Sequence, residues 1–386
     1  EIRLARESGN TQLEAFLVKA LAKCLRQRGE ADYPRKNIQE IDITFDKISG
    51  KIAAMKKVSV EILTQNKEKK LAGLIPALKS RVIGQDEIIE EIYRKFKERA
   101  HNLVDKSLPF GCFICLGPTG VGKTEIARAL ADFYFGGKMV RVDMSEYMEP
   151  HAADKLFGAP GGYVGYEQGG FLTNAVRDDS HILILLDEID KAHHSVFQIL
   201  NQILGDGKCT DGEGREVSFA NTIILMTGNV GMQDETTRAL VRLLADLRQV
   251  SGSSDTEDTI TASLKALISK AKQEMPDISQ LTDFANKLEF YKDTEEALGN
   301  VLGQLISGIK KVIDERIEKA LADIFQGQEI IGRAKAIGGV ISFNGLTRDD
   351  LNNILDIRLK ELNQWLIPFN IRINFSGELR SALIQA

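Results

Sequence analysis

Two hydrophobic periods alternate along this chain. Short, nearly unbroken apolar runs at Phe110 to Leu116, Met139 to Val142, His181 to Leu186 and Asn221 to Thr227 predict strands buried on both faces. Between them lie stretches with apolar residues three and four apart, such as Glu125 to Phe133, which predict helices. Strands of this kind alternating with helices predict an α/β unit built on a parallel sheet covered on both faces, beginning near Leu78. The pattern changes at Gly231. Thr237 to Val250, Thr261 to Met275, Ile278 to Tyr291 and Thr294 to Phe325 all carry helical spacing. The sheet is expected to resume at Ala336 to Phe343. Leu346 to Ala386 then reads as a small helical unit with a short strand at Ile371 to Phe375, and the lone Trp365 falls on the apolar face of its helix, which predicts a core position. At the other end, residues 11 to 28 form a helical pattern opened by a capping box at Thr11 and Glu14. The expected organisation is a helical segment over 1–40, a linker over 41–77, an α/β unit over 78–231 and 309–345, a helical insertion over 232–308, and a small α+β unit over 346–386.

Charge narrows the classes of partner. The chain has 386 residues and a net charge of −5, with no long basic patch, which argues against electrostatic binding to nucleic acid. No apolar run reaches the length of about 18 residues that a membrane helix needs. From Gly231 to Gly308 there are eight basic and thirteen acidic residues, so the insertion is acidic. The chain opens on Glu1, so a fragment or a processed form is expected, in the cytoplasm or in an organelle matrix after removal of a transit peptide. Four cysteines in this length fit a reducing compartment. Cys112 and Cys115 resemble a redox pair, but an offset of three on a strand points them to opposite faces, and core packing is expected. His193 and His194 read as helix-start residues, without ligand-spaced companions for a metal.

The chemistry concentrates at strand ends. Gly117-Pro118-Thr119-Gly120-Val121-Gly122-Lys123-Thr124 is a complete phosphate loop, placed between a strand and a helix as the motif requires. Its glycines let the backbone wrap a phosphate, and its amides with the helix N-terminus supply fixed positive dipole. Lys123 would reach the β- and γ-phosphates of a bound nucleotide, and Thr124 would put its hydroxyl on Mg²⁺. Sixty-four residues after Lys123, the run Ile182 to Leu186 ends in Asp187-Glu188. Asp187 can hold the Mg²⁺ shell and Glu188 can orient and polarise the attacking water. Asn229 ends the next strand, where its amide would sense the γ-phosphate or serve simply as a turn residue. Gly161-Gly162-Tyr163-Val164-Gly165-Tyr166 suits a mobile loop that presents a bulky side chain, as a lid over the nucleotide or a hairpin tip.

Taken in order, Arg81 to Asp86, the phosphate loop, Asp143 to Glu149, Gly158 to Tyr166, Leu185 to His193 and Asp211 to Arg215 closely resemble the second ATPase module of the Clp family of AAA+ unfoldases, of the ClpA, ClpB and ClpC type. The resemblance runs from about Leu78 to Val230 and resumes more weakly from about Ile309 to Ile373. It implies an AAA+ P-loop fold, a homo-hexameric ring, ATP hydrolysis between subunits, and protein substrates threaded through a central pore. It also implies that Tyr163 and Val164 are the pore-loop pair that grips substrate, that Val82 and Ile83 pack against adenine, and that Asn229 is the first sensor. Arg333 occupies roughly the place of the arginine finger, although the surrounding Gly332-Arg333-Ala334-Lys335 departs from the family pattern.

Three departures stand beside it. The insertion of roughly 75 residues contains no Ile-Gly-Leu or Ile-Gly-Phe docking loop, so docking to ClpP is not expected. The insertion is expected instead to bind a different partner or regulate the ring, against the plainer alternative that it only packs on its own subunit. The Gly-Ala-Arg second sensor is expected beyond Ala386, and residues 1–40 carry no motif of a first ATPase module. A second class of function competes with threading: an ATP-gated assembly or scaffold protein that uses the ring as a switch and the insertion as its binding surface.

Overall fold

The computed structural model describes residues 71–100, 105–159, 169–252, 257–274, 295–326 and 329–385. The expected N-terminal helix over 11–28, the Tyr163 loop and the helix expected at Ile278 to Tyr291 lie outside the described residues. In chain order the elements are α1 (Leu74–Lys79), α2 (Asp86–Ala100), β1 (Gly111–Leu116), α3 (Lys123–Phe135), β2 (Met139–Asp143), α4 (Ala152–Phe157), α5 (Phe171–Asp178), β3 (Leu183–Asp187) and α6 (His194–Asp206). Then come β4 (Lys208–Thr210), β5 (Glu216–Ser218), β6 (Ile223–Gly228), α7 (Glu235–Ser251), α8 (Glu257–Glu274), α9 (Glu295–Ile324), α10 (Ile330–Ile337), β7 (Gly339–Ser342), α11 (Arg348–Leu366) and α12 (Gly377–Gln385).

Five strands form one sheet in the order β2-β3-β6-β1-β7, and every pairing is parallel. β1, β3 and β6 are buried along their whole length, which explains why their sequences are apolar without alternation. Their side chains divide between two cores. Cys112, Ile114, Ile184, Leu186, Ile224 and Met226 face the layer that contains α6, α7 and α9, while Phe113, Cys115, Leu183, Leu185 and Leu225 face α2 and α3. Cys112 and Cys115 therefore do lie on opposite faces, both fully buried, and burial pushes both thiols far above their ordinary range.

All five strands run the same way, so their C-terminal ends share one edge of the sheet. At that edge β1 turns into the phosphate loop, β3 delivers Asp187 and Glu188, and β6 delivers Thr227 to Asn229.

Helices α7, α8 and α9 pack into this core. α7 is capped by Asp234, whose carboxylate accepts from the Thr237 N–H at 3.0 Å. Leu240, Leu244 and Leu247 of α7, Leu264 and Ile268 of α8, and Leu302 and Leu305 of α9 all belong to the same cluster as the sheet residues. At the other boundary, Leu71 and Leu74 are already buried, so packing begins before Leu78.

Three expectations need correction, and one element was missed. Residues 371–375 are not a strand: among the described residues no neighbouring strand offers them a ladder, and the segment is strapped to α11 by Asn363, whose amide accepts from the Ile373 N–H at 2.7 Å and donates to the Ile373 carbonyl at 2.8 Å. Trp365 is not core. It is 67% exposed, and its ring lies tilted against that of Phe369, 5.6 Å between ring centroids. Ala336 and Ile337 belong to α10, and the strand starts only after Gly338, where an added Cβ would meet the Cys112 carbonyl at 1.7 Å. The β4–β5 hairpin was not expected. Its signal is Asp211-Gly212 flanked by Lys208-Cys209-Thr210 and Glu216-Val217-Ser218, each with one buried residue between two exposed ones.

Candidate active site

A cleft of about 350 Å³ opens at the C-terminal edge of the sheet, lined by Thr119, Gly120, Gly122, Lys123, Thr124, Asp187, Glu188 and Asn229. The phosphate loop reaches its shape through backbone that only glycine adopts easily: Gly117, Gly120 and Gly122 have φ of +147°, +82° and +104°. A Cβ on Gly117 would press to 2.9 Å from Phe343, so that position is fixed by crowding as well as by φ. A Cβ on Gly120 would meet nothing within 4 Å, so positive φ rather than crowding favours glycine there. The room, the glycine cradle and the N-terminus of α3 suit a chain of phosphates.

Lys123 is the first residue of α3, and its ammonium is drawn back into the cleft. It donates to the Gly117 and Pro118 carbonyls at 2.6 and 2.7 Å and to Asn229 Oδ1 at 2.9 Å. Burial lowers its pKa to about 8, against the pull of the nearby acidic groups. The geometry thus joins Lys123 and Asn229, two residues 106 positions apart.

Asp187 is almost buried at the end of β3. One carboxylate oxygen, Oδ2, accepts from Arg141 Nη2 and Nε at 2.6 and 3.0 Å; the other accepts a short hydrogen bond from the Thr227 hydroxyl. Thr227 in turn accepts from the Glu188 backbone N–H at 3.2 Å. Glu188 sits at φ +56°, in the left-handed region, at the start of a short 3₁₀ turn. A non-glycine residue held there is strained, and such strain is characteristic of functional sites. Among the groups present, Thr124 and Asp187 are the oxygen donors that fit a hard divalent cation beside the phosphates.

The remaining expected residues are placed as follows. Val82 is buried under the loop, 3.5 Å from where a Cβ of Gly122 would be, and Ile83 is half-buried beside it. Arg333 lies on α10, outside the cleft, with Nη1 donating to the Asn201 carbonyl at 2.5 Å and Nη2 paired with Glu329 at 3.1 Å. Tyr163 and Val164 lie outside the described residues. His193 is the N-cap of α6, accepting from the Ser195 N–H, as a helix-start residue should. Four residues of the site escaped the sequence reading: Thr227, Arg141, Arg128 and Arg358. Arg128 had a readable signal, since it follows Thr124 by one helical turn. Arg141 and Thr227 depend on which strands are neighbours, and Arg358 on how α11 folds back, so none of the three had one.

Residues 108–276 match the family profile described as the AAA domain (Cdc48 subfamily). A chaperone protein ClpB of Vibrio cholerae is 41% identical over 237 residues, which is 60% of this chain and 28% of that protein. The Bacillus subtilis protein described as negative regulator of genetic competence ClpC/MecB is 48% identical over 195 residues, 50% of this chain and 24% of that one. Among solved structures, the extended Saccharomyces cerevisiae Hsp104:casein complex superimposes with a TM-score of 0.59 at 26% identity, over 88% of this chain and 47% of that one. A closed-state reconstruction of Hsp104 with ATPγS and FITC-casein gives 0.56 at 27% identity, over 83% and 43%. The chain thus spans about a quarter of the length of these curated relatives and under half that of the Hsp104 chains.

Proposed function

We propose that this ATPase region, homologous to those of ClpB and ClpC and folded as an AAA+ module, hydrolyses ATP and uses the energy to unfold or remodel protein substrates by threading them through the pore of a homo-hexameric ring. The single observation that carries the hydrolytic part is the convergence of the phosphate loop, Lys123, Asn229, Asp187 and Glu188 on one cleft. The Hsp104:casein structures support the coupling to protein substrates.

The residues divide the work. The loop amides and Lys123 bind the phosphates, and Lys123 exchanges its carbonyl partners for phosphate oxygens. Asn229 stays within reach of the same ammonium and registers the terminal phosphate through it. Thr124 and Asp187 would hold Mg²⁺, which when bound offsets phosphate charge. Glu188 orients and polarises the attacking water, with its backbone pinned by Thr227. Val82 and Ile83 would form one wall of the adenine site. Arg333 is proposed to complete a neighbouring subunit's site, leaving its contacts with Asn201 and Glu329 to do so. Tyr163 and Val164 would grip the substrate. Segment 232–308 lacks the ClpP-docking tripeptide and is proposed to serve a different partner. Among the described residues no helix is long and apolar enough to cross a membrane.

The test is Glu188→Gln. It should bind ATP as tightly as the parent while turnover falls about 100-fold or more. Lys123→Ala should lose nucleotide binding altogether. Normal turnover in Glu188→Gln would remove Glu188 from its role.

A further inference from the structure

α7 does more than fill the core. Its outer turns press on the junction where the chain leaves β7 for α11, at residues 343–349. Gly345 lies directly under the helix: a Cβ there would stand 3.3 Å from Val241 Cγ1, the Val241 carbonyl and Ala245 Cβ. One turn on, Gln249 Nε2 donates to Asp349 Oδ2 at 2.7 Å, at the N-terminus of α11. Beside it, Arg248 Nη1 donates to the Gly84 carbonyl at 3.4 Å.

Gly84 and Gln85 carry that contact onward. Gly84, at φ +76°, packs so closely on Asp350 that a Cβ would approach its carboxylate to 2.7 Å. The side-chain amide of Gln85 is fully buried and pairs reciprocally with the Asn344 backbone, accepting from its N–H at 3.1 Å and donating to its carbonyl at 3.0 Å. The same Nε2 lies 3.4 Å from the Val121 carbonyl, on the back of the phosphate loop, and Val82 packs beneath Gly122. One helix, one junction and both nucleotide-facing loops thus form a continuous set of contacts.

We propose that α7 is a latch on this junction, and that Arg248 and Gln249 are positioning residues for the nucleotide, acting through the Val82–Gln85 loop on the phosphate loop. The proposal rests on the nucleotide-binding reading of the cleft. It gives segment 232–308 a route to the nucleotide site without any contact with the nucleotide itself.

Opposite charges introduced at position 249 test it on the whole chain. Gln249→Glu sets a carboxylate against Asp349, whereas Gln249→Lys restores a pairing there. Two readouts are taken: hydrogen exchange of the Asn344 amide without nucleotide, and affinity for a fluorescent ATP analogue, with thermal unfolding confirming that each variant folds. Gln249→Glu and Arg248→Ala should speed Asn344 exchange and weaken nucleotide affinity about fivefold or more, within the usual range of coupling between sites. Gln249→Lys should match the parent in both. Unchanged exchange in Arg248→Ala and Gln249→Glu would overturn the latch, and faster exchange with unchanged affinity would overturn its coupling to the nucleotide. A parent that binds no nucleotide would instead refute the reading of the cleft, while the latch would still be decided by Asn344 exchange.

Discussion

Lys123 shows how much of the site's behaviour lies in one side chain. Its ammonium is held by two loop carbonyls and Asn229, and burial keeps its pKa at about 8. Bound phosphates favour the charged form, so they raise that pKa. Above pH about 8 the free site must take up a proton to bind, and affinity then falls by up to tenfold per pH unit until the raised value is reached. ADP affinity measured by calorimetry should therefore be nearly constant below pH about 7.5 and decline above 8. Lys123→Arg, always charged, should remove that decline in whatever binding it retains. A flat profile for the parent through pH 9.5 would contradict the account. Thr227 makes the second prediction at this scale. Its hydroxyl donates to Asp187 and accepts from the Glu188 N–H, so Thr227→Val keeps the shape and loses both bonds. Turnover should drop about tenfold with little change in KM, since Glu188 loses its support while the phosphate loop does not; this split follows from losing transition-state rather than ground-state contacts. An unchanged kcat would show that Thr227 is only structural.

Elements differ in how legible they were. β1, β3 and β6 could be read because full burial on both faces leaves no polar residue to interrupt them, and the residues at their ends followed. The phosphate loop could be read because its glycine positions are dictated by positive φ. The β4–β5 hairpin escaped because three-residue strands are too short for periodicity to register. Residues 371–375 misled because Ile371, Ile373 and Phe375 alternate as a strand would, while the partner they found was a helix side chain, Asn363. Helical spacing alone placed Trp365 on an apolar face, but a face is buried only when another element covers it. Helices α7, α8 and α9 were legible as helices, and their attachment was not. Leu244 of α7 is 3% exposed in the same cluster as Ile224 and Met226 of β6. Leu244→Ala should cost about 2–5 kcal/mol and lower the melting temperature of the whole unit in one transition. A melting temperature left unchanged would mean that these helices fold as a separate body.

At the scale of the whole molecule, the account joins a hydrolytic cleft to mechanical work. The cleft, its two cores and the latch on the β7–α11 junction are proposed to act as one nucleotide-dependent body. The Tyr163 loop is proposed to transmit its motion to a polypeptide, and the scaffold alternative differs at this point because it needs the switch but not the grip. Unfolding therefore separates them. The decisive measurement is the loss of fluorescence of a tagged, stably folded fluorescent protein on addition of ATP, with Glu188→Gln and Tyr163→Ala assayed beside the parent. The account predicts that the parent unfolds it, that Glu188→Gln does not, and that Tyr163→Ala keeps hydrolysing ATP while unfolding nothing. Unfolding that survives Tyr163→Ala, or ATP hydrolysis by the parent with no unfolding at all, would contradict it.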